Sequence, residues 1–188
     1  MEFEHLVHSN TQGIKEIADY LKSRNYKKIA VVTGAGKLDC SSAEPNKIKM
    51  LRENLAGYAD IPDENIFNIP TDPKYSSLLP EVLKKNINNK FCEDFEIIIC
   101  FNTSAISHIY RRLFEQRLIP GKDIDLIAKC SARLVENIIP SMTHIEVPHF
   151  TIGEVLCESV IDEIKNKTSN KVFIEVEPKL IIGESSRK

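Results

Sequence analysis

The chain has 188 residues, of which 42% are hydrophobic, so it is long enough to bury a substantial core as a single domain. Lysine and arginine number 25 against 27 aspartates and glutamates, and the net charge of -2 excludes a chain-wide basic field that would attract nucleic acid. We therefore expect any contact with DNA to come from a region absent from this chain.

Helical and strand patterns alternate in the first part of the chain. The predicted elements are, in order, a helix, a strand, a helix, a strand and a helix over QGIKEIADYLKSR, KKIAVVTG, NKIKMLRENLAGY, NIFNIP and SSLLPEVLKKNI. The last of these helices is expected to begin at a cap formed by Ser76 and Ser77, with Pro80 tolerated in its first turn.

The alternation continues to the end of the chain. The predicted elements are FEIIICFN, TSAISHIYRRLFEQRL, DIDLIAKC, THIEVP, IGEVLCESVIDEIKNK, KVFIEVEP and KLIIGES. In the helix after FEIIICFN, helical spacing predicts a buried stripe of Ile106, Ile109, Leu113 and Phe114. Strands that are apolar on both faces require a parallel sheet covered on both sides, so the sequence predicts an α/β, doubly wound, mostly parallel sheet flanked by helices on both faces.

Cysteine and histidine patterns argue against metal and disulfide chemistry. The five cysteines are odd in number and form no C-x-x-C pair, and no H-E-x-x-H motif accompanies His144 or His149, so no metal site is predicted. The acidic start MEFEHLVHSN does not resemble an export signal, and the longest apolar run, IIICF, is too short to span a bilayer. We expect a cytoplasmic protein with no membrane contact.

Two features leave an enzyme open as an alternative. VVTGAG, residues 31–36, matches part of a dinucleotide-binding fingerprint, but Lys37 and the residues after it supply no third glycine. Cys130 would need a neighbouring base to act as a nucleophile, and Lys129 alone is weak support, so a buried thiol is favoured. The alternative is an α/β enzyme acting on a nucleotide.

Polar groups cluster at the predicted strand ends. They are Thr33-Gly34, Thr71-Asp72, Asn102-Thr103-Ser104 and Cys130-Ser131. Ligands of doubly wound sheets bind beyond the carboxyl ends of the strands, and these mostly neutral groups have little acid/base power. The sequence therefore predicts recognition of a small polar molecule by a non-enzyme that needs no cofactor.

The ordered segments carry a family resemblance that covers nearly the whole chain. They are VHSNTQGIKEIADYLKSRNYKKIAVVTG, EIIICFNTSAISHIYRRLFEQRLIPGKDIDLIA, IIPSMTHIEVPHFTIGEVLCESVIDEIKN and PKLIIGESS. In this order they resemble the effector-binding domain of LacI/GalR-type transcription regulators, whose fold is that of the type I periplasmic sugar-binding proteins. The resemblance implies a sensor that binds a small polar, sugar-like or nucleoside-like effector and forms a homodimer. A solute-binding protein of the same fold and a remnant that only dimerises remain alternatives.

The resemblance also implies how residues 1–188 are divided. Residues 9–146 together with 177–188 would form the second lobe of the family's domain. A helix and a strand within 147–176 would cross over to pack on a first lobe. Most of that first lobe and the helix-turn-helix are expected to be absent from this chain. The helix TSAISHIYRRLFEQRL and the segment after Cys130 would lie at a dimer interface.

Ligand contacts implied by the resemblance differ from the usual family pattern. Asn102 matches the family's asparagine, whereas Thr103 and Cys130 stand where aspartates are usual, and the arginine position falls near Asn46 or Lys47. Losing carboxylate and arginine contacts argues against an ordinary hexose. The predicted ligand-binding residues are Asn102, Thr103, Cys130, Ser131, Lys47 and the aromatic Tyr75.

Overall fold

The computed structural model describes residues 5–8, 11–35, 43–70, 79–87, 91–135, 137–166 and 172–186. The helices are α1 (Thr11–Ser23), α2 (Ala43–Leu55), α3 (Leu79–Asn86), α4 (Phe91–Asp94), α5 (Ile106–Glu115), α6 (Ala132–Val135) and α7 (His149–Asn166). The strands are β1 (His5–His8), β2 (Ile29–Ala35), β3 (Ile66–Pro70), β4 (Ile97–Cys100), β5 (Asp125–Cys130), β6 (Thr143–Glu146), β7 (Val172–Glu175) and β8 (Lys179–Ile181).

A six-stranded sheet in the order β3-β2-β4-β5-β6-β8 forms the centre of the molecule. All neighbouring strands are parallel except β8, which runs antiparallel to β6. One face is covered by α1 and α2, and the other by α3 and α5. The predicted α/β, doubly wound, mostly parallel fold is confirmed.

The central strand β4 shows why the sheet must be covered on both sides. Its four residues are all buried. Ile97 and Ile99 pack in the core beneath α1 and α2, while Ile98 and Cys100 pack in the core beneath α3 and α5. Because successive side chains point to opposite faces, a continuous apolar run can fill two cores at once. Burying each isoleucine contributes about 1.5–3 kcal/mol.

Helix α5 departs from the predicted stripe at one residue. Ile106, Ile109 and Leu113 are buried as expected, but Phe114 is 82% exposed. Phe114 follows Leu113 directly, so it lies about 100° further around the helix and faces away from the sheet. Including it in the buried stripe was wrong. The cap predicted at Ser76 and Ser77 lies outside the described residues.

A second, smaller sheet pairs β1 with β7 in parallel and is separate from the six-stranded sheet. Helix α7 packs against β1 and leaves large apolar side chains exposed, including Phe150, Ile161 and Ile164. Among the described residues, no helix combines the length and the apolar character needed to cross a lipid bilayer.

The segment that follows β8 forms hydrogen bonds with two strands of the six-stranded sheet. The Ser185 hydroxyl donates to the Leu126 carbonyl oxygen at 2.6 Å, and the Thr143 backbone N–H donates to the Ser185 hydroxyl at 2.9 Å. The Leu126 N–H in turn donates to the Ser185 carbonyl oxygen at 2.7 Å. This segment therefore ties β5 to the start of β6 through buried hydrogen bonds.

Candidate functional site

The parallel strands place their carboxyl ends along one edge of the sheet. From β2 the chain passes through α2 to β3, which pairs with one side of β2. The chain then returns to β4, which pairs with the other side of β2. The strand order therefore reverses between β2 and β4. Crevices at such a reversal are where open α/β sheets bind ligands. The residues at these two strand ends are Thr33 and Gly34 on β2 and Asn102 just beyond β4.

Asn102 is held rigidly at this position. Its side chain is 7% exposed, and its Oδ1 accepts a hydrogen bond from the Ser104 backbone N–H at 2.9 Å. This bond caps the 3-10 turn Thr103–Ala105 that leads into α5. With the oxygen committed to the cap, the side-chain NH2 donates to no described residue. Asn102 can therefore offer a fixed donor to a ligand.

Thr103 and Ser131 lie beside Asn102 at the ends of neighbouring strands. The Thr103 hydroxyl donates to the Lys129 carbonyl oxygen at 3.2 Å, which ties the end of β4 to the end of β5. The Ser131 carbonyl oxygen accepts from the Leu134 N–H at 3.1 Å as α6 begins. The topology thus brings these predicted residues to the edge where Asn102 lies. Tyr75 lies outside the described residues.

Cys130 occupies a different environment from its neighbours at the edge. Its side chain is 2% exposed and packs in the core beneath α5. Burial, together with the nearby Glu146 carboxylate, raises the pKa of the thiol to about 12. A thiol with that pKa is protonated at neutral pH and is a poor nucleophile. Its predicted role as a ligand contact stays a prediction.

This burial gives a direct chemical prediction. In native protein at pH 8, we expect iodoacetamide to alkylate the exposed Cys157 on the order of a hundredfold faster than the buried Cys100 and Cys130. Peptide mass mapping after quenching measures the rates site by site. In urea the three rates should converge, and rapid labelling of Cys130 in the native protein would contradict its placement in the core.

Lys129 also lies at this edge of the sheet, although the sequence pointed to it only as a neighbour of Cys130. Because residues alternate along β5, its side chain points to the opposite face, where it and Lys47 of α2 line a cavity of about 10 Å³ with Gly13 and Phe101. Burial and the nearby Lys47 ammonium lower the pKa of Lys129 to about 8. The fold thus brings together two lysines that lie far apart in sequence.

A larger groove of about 590 Å³ runs between α2 and the edge strand β3. Arg52 lies along it, donating from Nε to the Ile61 carbonyl oxygen at 2.8 Å and from Nη2 to Asp63 Oδ1 at 2.6 Å. The groove touches the crevice only at Thr33 and Gly34. Since it lies at the sheet's outer edge rather than at the strand-order reversal, we place the candidate site at the crevice beside Asn102.

Comparison with known proteins agrees with this architecture. No family model matches the chain. The HTH-type transcriptional repressor PurR of Vibrio vulnificus is 28% identical over 91 residues, which make up 48% of this chain and 27% of the repressor. The solved complex of the transcriptional regulator CelR with cellobiose has a TM-score of 0.77 at 16% identity. The match covers 98% of this chain and 55% of the CelR chain.

A regulatory protein of the LacI family from Chloroflexus aggregans also has a TM-score of 0.77 at 16% identity, covering 100% of this chain and 65% of its own. This chain has the effector-domain fold of LacI-type transcription regulators. It spans about half to two-thirds of these solved structures, and its matched part spans about a quarter of PurR. The resemblance seen in the sequence is therefore confirmed.

Proposed function

We propose that this chain is the effector-sensing module of a bacterial LacI-type transcription regulator, and that it binds a small polar molecule without transforming it. The observation that carries the proposal is Asn102, a buried amide fixed by its own cap at the point where the strand order reverses. The similarity to PurR and to the CelR–cellobiose complex supports a regulatory role.

The chemistry of the rim favours binding over catalysis. Thr33, Asn102, Thr103 and Ser131 are neutral hydrogen-bonding residues, and the adjacent Cys130 thiol is held protonated by its raised pKa. General acid/base or nucleophilic catalysis needs groups whose pKa lies near the working pH and which reach the substrate. Among the residues described at this edge, Lys129 has a pKa in that range, but it lines the small cavity beneath the rim rather than the rim itself. A rim of this kind gives orientation and specificity to a bound polar ligand.

The proposal includes two lobes. Residues 9–146 with 177–188 would form one lobe, and α7 with the β1–β7 sheet would belong to the other. The separation of the two sheets and the exposed apolar side chains of α7 support this division. A ligand held between two lobes shifts their arrangement only if it binds one arrangement more tightly, which is the requirement for allosteric control.

Homodimerisation is supported by exposed apolar side chains on α5 and on the segment after Cys130. Phe114 is 82% exposed, and Leu134 and Ile139 are also exposed. The Tyr110 hydroxyl donates to the Pro140 carbonyl oxygen at 3.0 Å, which joins the two segments into one surface. Exposed aromatic residues of this kind are enriched at the centres of protein interfaces.

The dimer gives a prediction with a matched control. We expect Phe114→Glu to weaken self-association about a hundredfold, because a buried charge would replace an apolar anchor. Phe150→Glu changes an equally exposed phenylalanine on α7, outside the proposed interface, and should leave association unchanged. Sedimentation equilibrium measures both constants. A monomeric wild-type chain, or equal effects of the two changes, would contradict this interface.

A binding screen tests the function itself. Sugars, nucleosides and nucleotides are screened by thermal shift, and each hit is confirmed by calorimetry and then assayed for product. Saturable stabilisation without product supports the sensor. Product formation would favour the enzyme that acts on a nucleotide, and the lack of any hit would favour a remnant that only dimerises.

Asn102→Asp makes the screen specific for the proposed site. The aspartate keeps an oxygen to cap the Ser104 N–H but replaces the donating NH2 group. We expect the variant to melt within a few degrees of wild type and to lose affinity for a confirmed hit by about tenfold or more. Unchanged affinity would remove Asn102 from the site.

A further inference from the structure

We propose that the groove between α2 and β3 is a second small-molecule site, separate from the effector crevice, and that it binds a free α-amino acid with an apolar side chain. Its volume of about 590 Å³ lies within the range of small-molecule sites. Charged residues of both signs line it together with apolar residues. A ligand that carries an ammonium group, a carboxylate and an apolar group fits this combination.

Helix α2 forms the charged wall of the groove. Ile48 and Arg52 are four residues apart, and so are Lys49 and Glu53, so each pair lies one turn apart on the same side of the helix. All four line the groove. The wall therefore presents a guanidinium, an ammonium group and a carboxylate beside one isoleucine.

Arg52 is held in position with part of its guanidinium group free. Its Nε donates to the Ile61 carbonyl oxygen at 2.8 Å, and its Nη2 donates to Asp63 Oδ1 at 2.6 Å. A guanidinium has five N–H groups, so Nη1 and the second N–H of Nη2 have no acceptor among the described residues. A ligand carboxylate can accept from both nitrogens in a charge-assisted, bidentate contact. Because Arg52 is already ordered, binding restricts it little further.

Glu53 is available for the ligand's ammonium group. Its carboxylate lies 3.8 Å from Lys49 Nζ, and the two side chains are 61% and 74% exposed. An exposed pair of this length contributes little to stability, so a ligand ammonium group can replace Lys49 beside Glu53 with little loss. Arg52 and Glu53 both line the groove, and one small ligand can therefore contact the two.

The apolar part of the lining comes from both walls. Ile48 on α2 and Ile66 on β3 are half-buried and line the groove. They offer a surface on which an apolar ligand side chain would lose contact with water. Because the charges of the lining are balanced, with two of each sign, the groove favours a ligand with both charges over a simple anion or cation.

Three leucine compounds test the contribution of each charged group. Leucine carries both groups, N-acetylleucine keeps only the carboxylate, and leucinamide keeps only the ammonium group. In calorimetry at neutral pH with the full chain, we expect leucine to bind at least tenfold more tightly than either derivative. Each derivative lacks one of the two charge-assisted contacts. Amide chemical-shift mapping with leucine should show its largest changes at Ile48, Arg52, Glu53 and Ile66.

Variants assign the two contacts. Arg52→Gln and Glu53→Gln should each weaken leucine binding at least tenfold. Glu53→Gln should leave the weaker affinity for N-acetylleucine nearly unchanged, because that compound has no ammonium group. Glu64→Gln is the control, since Glu64 is an exposed carboxylate next to Asp63 that does not line the groove. Circular dichroism melts confirm folding, and the exposed Glu53 keeps the test decisive if Arg52→Gln is unstable.

Three outcomes would overturn this site. The first is that leucine does not bind at millimolar concentration, or that either derivative binds as tightly as leucine. The second is that leucine shifts Asn102 and Lys129 at the crevice rather than the groove residues. The third is an equal loss of leucine affinity in Glu53→Gln and Glu64→Gln, which would reflect general surface charge. The proposed sensor stands in each case, because its effector is sought among sugars, nucleosides and nucleotides.

Discussion

Gly121→Ala is expected to lower the free energy of unfolding by about 4 kcal/mol or more, which is at the top of the range for single substitutions. Gly121 has φ of +80°, and a Cβ there would lie 1.8 Å from the Glu184 carbonyl oxygen. That oxygen belongs to the backbone that leads into Ser185, so it cannot move without disturbing the bonds to β5 and β6. Urea denaturation measures the loss.

Gly57→Ala separates the steric clash from backbone strain. Gly57 has a similar φ of +74°, but a Cβ there would meet nothing within 4 Å. Its substitution should lower the free energy of unfolding by only about 1 kcal/mol, because alanine is strained in the left-handed region but meets no other atom. If both alanine variants lose the same stability, the closing segment around Glu184 does not pack against Gly121 as described.

The second large effect is expected at the amino end of β5. Asp125 is fully buried and accepts a hydrogen bond from the Tyr26 hydroxyl, which is also buried. Burial and this bond raise the pKa of Tyr26. Tyr26→Phe removes the donor and leaves a buried carboxylate without it, so we expect a loss of about 3 kcal/mol in urea unfolding.

Two further variants check the origin of that loss. Tyr20→Phe removes a hydroxyl that donates to the neutral Ser186 carbonyl oxygen at 2.7 Å and should cost only about 1 kcal/mol. Adding Asp125→Asn to Tyr26→Phe should restore part of the stability, because no buried carboxylate is then left without its hydrogen-bond donor. If Tyr26→Phe is no worse than Tyr20→Phe, the buried carboxylate is not the source of the effect.

The sheet could be predicted from sequence because its central strands are built around apolar runs, most clearly in β4. A run such as Ile97–Cys100 can be satisfied only by burial on both faces, which fixes the class of fold. The exposure of Phe114 was missed because a phenylalanine beside a buried leucine reads as part of the core. Its position on the outer side of α5 follows from helix rotation and becomes meaningful only if a partner covers it.

The candidate site was only partly predictable. Asn102 could be found because it ends a clear strand pattern and stands in a cap position. Lys129 could not be paired with Lys47 from sequence, since their approach depends on how α2 and β5 pack on the same face. A strand residue and its neighbour point to opposite faces, so Cys130 lies in the core beneath α5 while Lys129 faces the cavity on the other side of the sheet.

Amide chemical-shift mapping with a confirmed ligand tests the central claim most directly, namely that the carboxyl edge of the sheet near Asn102 binds a small molecule. The account predicts the largest shifts at Lys47, Phe101, Asn102 and Lys129, with little change at Tyr26 and Asp125 on the amino side of the sheet. Shifts concentrated on the amino side, or in the groove between α2 and β3, would contradict it.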